Sequence, residues 1–202
     1  MLELDTPHGL AWVHLHAVEN AHAALVLGHG AAGGVDTPDI KASTTAAQSA
    51  GLTVALVEQP YRVAGRRSPA RAPQLDAVWI SVIQGLRDGE LGDLPFVTGG
   101  RSMGARVACR TAEATDAVAV LCLAFPLEPP ARAGKPRQNR LAELDAVEVP
   151  TLVVQGERDR FGLPPRGPQR TVAVVPGDHG LKADPEAIGA AVGEWLSKVV
   201  GN

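Results

Sequence analysis

Ser102 sits in the pentapeptide G-R-S-M-G at 100–104, directly after the apolar run L-P-F-V-T. A G-x-S-x-G between a strand and a helix has a mechanical meaning. The flanking glycines let the backbone turn sharply enough to lift the serine hydroxyl above the sheet edge. The stretch that follows, A-R-V-A-C-R-T-A-E-A, reads as a helix whose N-terminus faces any anion formed at Ser102. The competing reading is an ordinary glycine-flanked turn, and the choice depends on whether a base and an acid stand where the chemistry needs them.

Serine attacks only when a base takes its proton, and that base must itself be held by a third group. Where such an elbow works, acid and histidine follow the serine in that chain order, each just past a strand. His179, in T-V-A-V-V-P-G-D-H-G-L, is the only histidine after Ser102 and is the expected base. The segment T-L-V-V-Q-G-E-R-D-R-F-G offers Asp159 beyond the preceding strand, in competition with Glu157 and Asp178. Asp178 directly precedes His179 and is badly placed to reach round to its ring. Glu157 comes earlier in the same turn as Asp159, so Asp159 is favoured.

An oxyanion also needs two N–H donors. One is expected from Met103, the residue after the nucleophile. The other is expected from G-H-G-A-A-G-G, the loop after A-A-L-V-L, with Ala31 as the donor and Ala32 as the alternative. Read instead as a phosphate-binding turn, this loop lacks the lysine of a P-loop. Glu58 is the one acidic candidate for a ribose at the end of the next strand, so dinucleotide binding is disfavoured.

Several neighbours are candidates for a substrate pocket: His29, Tyr61, Arg101 and Phe161. Arg101, inside the elbow, either binds a substrate carboxylate or makes structural hydrogen bonds to nearby loops, and the second is favoured. Arg66 and Arg67 form an anion site or a solvated loop. His29 is expected to order the loop after its strand rather than act as a base. Tyr61 and Phe161 either border the pocket or simply pack. The chemistry calls for no cofactor and no metal.

These groups need a scaffold, and the pattern supplies one. Short continuous apolar runs alternate with amphipathic stretches, as in parallel strands crossed by helices. Strands are expected at Ala23 to Leu27, Leu52 to Val57, Phe96 to Thr98, Val118 to Ala124, Thr151 to Val154 and Val172 to Val175. Leu75, Val78, Trp79, Val82, Ile83 and Leu86 make one helical stripe. Asp184 and Pro185 open a last helix with Ile188, Val192, Trp195, Leu196 and Val199 on its apolar face. Leu10 to His16 alternates as an antiparallel edge strand would, with its histidines toward solvent. Pro126 to Arg140 holds four prolines and a glycine and is expected to be a surface loop too short for a cap domain.

The 202 residues are expected to form one α/β domain over 1–202, a mostly parallel central sheet with helices on both faces. A formal charge of −3 and only seven aromatics leave no footprint for nucleic acid. No apolar stretch approaches a membrane span, and M-L-E-L-D-T-P-H-G, with no basic stretch followed by an apolar one, is not expected to be a secretory signal. Cys109 and Cys122 read as small buried hydrophobes in a reducing compartment, which favours a cytoplasmic location.

G-R-S-M-G, the H-G loop, Q-G-x-x-D-x-F-G and the closing D-H-G resemble the α/β-hydrolase superfamily over nearly the whole chain. More narrowly, Q-P-Y-R-V-A-G-R-R-S-P (59–69), F-P-L-E-P-P followed by G-K-P (125–136) and P-T-L-V-V-Q-G-E-R-D-R-F-G resemble a small, lidless, dienelactone-hydrolase-like group. That group also contains the third regulatory subunit of the NSL chromatin complex. The resemblance implies the α/β-hydrolase fold without a cap, with Ser102, Asp159 and His179 at the triad positions. The group often carries histidine where Glu128 stands here, and the loop here holds extra residues, Ala131 to Ala133. The expected function is a carboxylesterase-like serine hydrolase cleaving a small ester or related acyl compound, with thioesterase, lactonase and peptidase chemistry also open. The alternative is a hydrolase-fold binding or scaffold protein with little turnover, favoured if the proline-rich loop closes over Ser102.

Overall fold

The computed structural model describes residues 1–130 and 138–201. Eight strands form one sheet: β1 (Leu2–Thr6), β2 (Gly9–His16), β3 (Ala23–Gly28), β4 (Leu52–Glu58), β5 (Phe96–Arg101), β6 (Ala119–Leu123), β7 (Thr151–Gly156) and β8 (Arg170–Val175). Their spatial order is β1-β2-β4-β3-β5-β6-β7-β8. From β4 to β8 every pairing is parallel, while β1 and β2 are antiparallel additions. The runs A-A-L-V-L-G and A-V-L-C-L are buried throughout because helices cover both faces, as parallel strands require.

The pleat divides each strand between two layers. Leu25, Leu27, Val54, Leu121 and Val154 point to the face covered by α1 (Pro38–Ser49) and α6 (Pro185–Val199), where Ile40, Ile188, Val192 and Leu196 meet them. Ala24, Val26, Ala55 and Val57 point to the other face, against α3 (Ala72–Asp88), whose stripe from Leu75 to Leu86 buries Trp79 and Ile83. Next along this face, α4 (Met103–Thr111) and α5 (Leu141–Asp145) cover Val120, Cys122 and Val153. Each fully buried Leu, Ile or Phe stabilises the fold by about 1.5–3 kcal/mol. The short α2 (Pro60–Val63) follows β4.

The fold class agrees with expectation, and the last helix starts as expected: the Asp184 carboxylate accepts the Ala187 N–H at 2.9 Å, ahead of Pro185. Two details differ. The segment at Leu10 to His16 is not the edge, because β1 pairs outside it through Leu2, Leu4 and the tight Thr6–Gly9 turn. His14 is not simply solvated either, since its Nε2 lies 2.8 Å from Glu58 Oε1 on the neighbouring β4. No helix among the described residues is long and apolar enough to cross a membrane.

Candidate active site

β5 ends at Arg101 and α4 begins at Met103, so Ser102 alone makes the turn between them. It does so at φ 51°, a region that L side chains rarely occupy, and its N–H is held by Leu123 O at 2.8 Å. Such strain persists only when neighbours over-determine it. Here they do, because β3 runs against the elbow so closely that a Cβ on Gly104 would lie 2.5 Å from Gly28 O.

The Ser102 hydroxyl stands 3.0 Å from His179 Nε2, and His179 Nδ1 stands 2.8 Å from Asp159 Oδ2. A carboxylate can only accept, so Nδ1 carries the ring proton and Nε2 is left to accept the serine proton. Ser102 follows β5, the turn after β7 brings Asp159 and the loop after β8 brings His179, so three parallel strands deliver their ends to one edge of the sheet. Asp178 instead closes its own turn by accepting the Gly180 N–H at 2.8 Å, and Glu157 faces Arg158 in solvent. Of the three candidate acids, Asp159 is the one that meets the ring.

Asp159 is itself fixed. Its Oδ1 accepts the Phe161 N–H at 2.9 Å, and its Oδ2 accepts from Gln155 Nε2 at 2.7 Å. Gln155, fully buried, also donates to Phe125 O and Gly162 O. Sequence reading passed over Gln155, although an amide closing the apolar run T-L-V-V was the available signal. The Phe161 ring packs on His179 with centroids 4.3 Å apart.

The glycine loop after β3 is braced on successive peptides. His29 is fully buried; its Nδ1 donates to Gly30 O at 2.8 Å, and its Nε2 accepts the Gln59 N–H at 3.1 Å. Burial pushes the His29 pKa down, which keeps the ring neutral and the Nε2 acceptor available. Because a trans peptide directs C=O and N–H oppositely, fixing the Gly30 carbonyl also fixes the Ala31 N–H. Tyr61 donates from its hydroxyl to Ala31 O at 3.1 Å, and burial raises its pKa to about 12, so it remains a donor.

A cavity of 530 Å³ opens at Ser102 and is lined by Ala31, Met103, Leu75, Phe161 and the described ends of the proline-rich stretch, Pro126, Pro130 and Arg140 among them. Arg106 and Arg110 also reach it, but each is held side-on by a carboxylate, Glu143 and Asp76 respectively. Residues 131–137, including the extra Ala131 to Ala133, lie outside the described residues.

Of the expected pocket residues, Phe161 lines this cavity and three do not. His29 spends both ring nitrogens on backbone. Tyr61 is turned onto Ala31 and lines a neighbouring 340 Å³ cavity with Gln59, Gln74 and the exposed Arg66. Arg101 is engaged by Asp39 and by the His179 carbonyl. Cys109 and Cys122, distant in sequence, lie 3.5 Å apart between α4 and β6 as buried free thiols.

A family model described as an alpha/beta hydrolase domain matches residues 21–185. The chain belongs to the α/β-hydrolase family. A search among curated proteins finds no sequence match. Among solved structures, this α/β-hydrolase is similar to a lidless a/b serine hydrolase from Xanthomonas campestris, with TM-score 0.77 and 17% identity, covering 100% of this chain and 94% of that one. It is also similar to Est1E from Butyrivibrio proteoclasticus, at TM-score 0.79 and 15% identity with 100% and 99% covered. A dienelactone hydrolase from Anabaena variabilis matches at TM-score 0.75 and 17% identity, with 98% and 96% covered. At these identities the likeness is one of fold.

Proposed function

We propose that this α/β-hydrolase is a serine hydrolase that cleaves a small ester or related acyl compound through an acyl-enzyme. The observation that carries the reading is the hydrogen-bonded chain from Ser102 Oγ through the His179 ring to the buried Asp159 carboxylate. Ser102 Oγ attacks the acyl carbon while its proton passes to His179 Nε2. The tetrahedral oxyanion is met by the N–H of Met103, the first residue of α4, and by that of Ala31. On collapse, the protonated His179 hands its proton to the departing alcohol, leaving an ester on Ser102. Water then enters, His179 takes its proton, and the same two steps return free serine and carboxylic acid. Asp159 accepts from His179 Nδ1 and holds the imidazolium in place. A cavity walled by Ala31, Leu75 and prolines suits compact acyl groups better than long lipid chains.

The test is intact-mass detection of labelling by a fluorophosphonate, followed by hydrolysis of p-nitrophenyl esters of increasing acyl length. A single adduct and faster turnover of short than of long esters are expected. A folded protein that takes up no probe would sink the reading and leave a hydrolase-fold binding protein.

The braced glycine loop makes a second, smaller prediction. Tyr61→Phe removes the donor on Ala31 O while keeping the ring. The ester kcat should fall about tenfold, less than the ~10²–10³ lost with a direct oxyanion donor. Steady-state kinetics would read this as a kcat change at nearly constant KM, and a variant with wild-type kcat would mean that the Tyr61 hydroxyl does not brace the loop.

A further inference from the structure

Arg101 is the residue before the nucleophile, and its side chain crosses the back of the site to the base. Its Nη2 donates to the backbone carbonyl of His179 at 2.8 Å. Its Nε lies 3.0 Å from Asp39 Oδ2 on the first turn of α1, and its Nη1 packs on Gly30, where a Cβ would come within 3.0 Å. One planar guanidinium thus touches the glycine loop, the start of α1 and the histidine loop while its backbone belongs to the elbow.

Asp39 is completely buried, and neither of its carboxylate oxygens has a hydrogen-bond partner among the described residues. The Arg101 Nε contact is close but out of line for a hydrogen bond, so charge rather than alignment holds the pair. Burying an ion pair is a poor way to gain stability, because desolvation offsets most of the attraction. What such a pair does supply is direction, since a guanidinium fork pulled from one side presents its other N–H groups at fixed angles.

His179 must be held at two points for its Nε2 to meet Ser102 Oγ. Asp159 grips the ring. The backbone belongs to a short turn between Gly177, at φ 115°, and Leu181, at φ 48°. Asp178 and Gly180 close that turn upon itself. Arg101 ties its carbonyl to the residue adjoining the nucleophile.

We propose that Arg101 is a positioning residue that sets the distance between His179 and Ser102, and that the buried Asp39 carboxylate aims it. The inference rests on the serine-hydrolase reading and adds to it a brace that no substrate touches. Lysine at 101 keeps the charge beside Asp39 but has a single ammonium, which cannot serve Asp39 and the His179 carbonyl together in the same geometry.

The test compares wild type with Arg101→Lys, Arg101→Gln, Asp39→Asn and the double variant Arg101→Gln/Asp39→Asn. Ester kcat, KM and fluorophosphonate labelling rate are each normalised to the folded fraction measured by thermal melting. Arg101→Lys should fold and lose about 10²-fold in kcat, the scale of an ångström of misplacement, with KM nearly constant. Labelling should slow in parallel. Asp39→Asn should lose less, and the double variant should be no slower than Arg101→Gln, because the two residues act in series. If Arg101→Gln fails to fold, the lysine and asparagine variants carry the result. Variants whose folded molecules turn over like wild type would overturn the brace while leaving the hydrolase reading intact. A wild type that neither labels nor turns over would overturn both.

Discussion

Ser102→Ala and His179→Ala are each expected to lower ester kcat about 10⁶-fold, the scale seen when nucleophile or base is removed from a working triad. The double variant should be no slower than either alone, since both groups act in the same proton transfer and the residual rate comes from binding and the oxyanion donors. Asp159 enters differently, because it holds a tautomer. Asp159→Asn would present an amide N–H to His179 Nδ1, drive the proton to Nε2, and leave no acceptor facing the serine hydroxyl. A loss of about 10⁴-fold follows from that wrong tautomer. Gln155 Nε2 and the Phe161 N–H would also lose a charged acceptor, so Asp159→Asn should melt lower than Ser102→Ala. Burst-titrated p-nitrophenyl acetate hydrolysis with parallel melting curves would read all of these. Turnover surviving in Ser102→Ala would place the chemistry elsewhere on the protein.

The parts of this site that could be read from the chain are those set by local order. The elbow is a strand, a turn and a helix in consecutive residues, so spacing alone exposes it. His179 needed no geometry because no other histidine follows Ser102. The choice of Asp159 over Asp178 rests on reach, since Asp178 adjoins His179 in the chain; in the structure Asp178 accepts the Gly180 N–H two residues away.

Other parts were hidden for physical reasons. Helix α1 reads P-D-I-K-A-S-T-T-A-A-Q-S, with one large apolar side chain, so apolar periodicity is silent there. It is buried nonetheless, because Ser43 and Thr44 return their hydroxyls to the carbonyls of Asp39 and Ile40 and present small surfaces to the sheet. Strand β1 did alternate, with Leu2 and Leu4 against Glu3 and Asp5, but five residues at the chain start gave too short a run to register. The partnerships that brace the site, Arg101 with Asp39 and Tyr61 with Ala31, join residues 62 and 30 positions apart. Such pairs arise from how the crossovers stack, and nothing in either residue's neighbourhood announces the other.

Gly104→Ala should destabilise the protein by about 3 kcal/mol, at the upper end of the usual range for overpacking. In an exposed helix the same change would stabilise, since alanine exceeds glycine in helix propensity by about 1 kcal/mol. The sign reverses here because the new methyl would stand 2.5 Å from Gly28 O, 2.8 Å from Gly28 C and 2.9 Å from His29 O. All three are backbone atoms at the end of β3, so no side-chain rotation relieves the clash. At roughly 2–4 °C per kcal/mol for a chain of this size, the melting temperature should fall by about 6–12 °C. Gly193→Ala in α6 is the matched control, since its nearest neighbour would be Ala46 Cβ at an ordinary 3.8 Å. That variant should gain about 0.5–1 kcal/mol. Turnover should separate the pair as well. The segment that must yield to a methyl at 104 carries His29 and leads into the loop that offers the Ala31 N–H, so Gly104→Ala should lose kcat even where it remains folded. Gly193→Ala should keep it. Equal stability of the two variants would mean that β3 and the elbow are not packed backbone to backbone, and the strained turn at Ser102 would then lack the support that holds it.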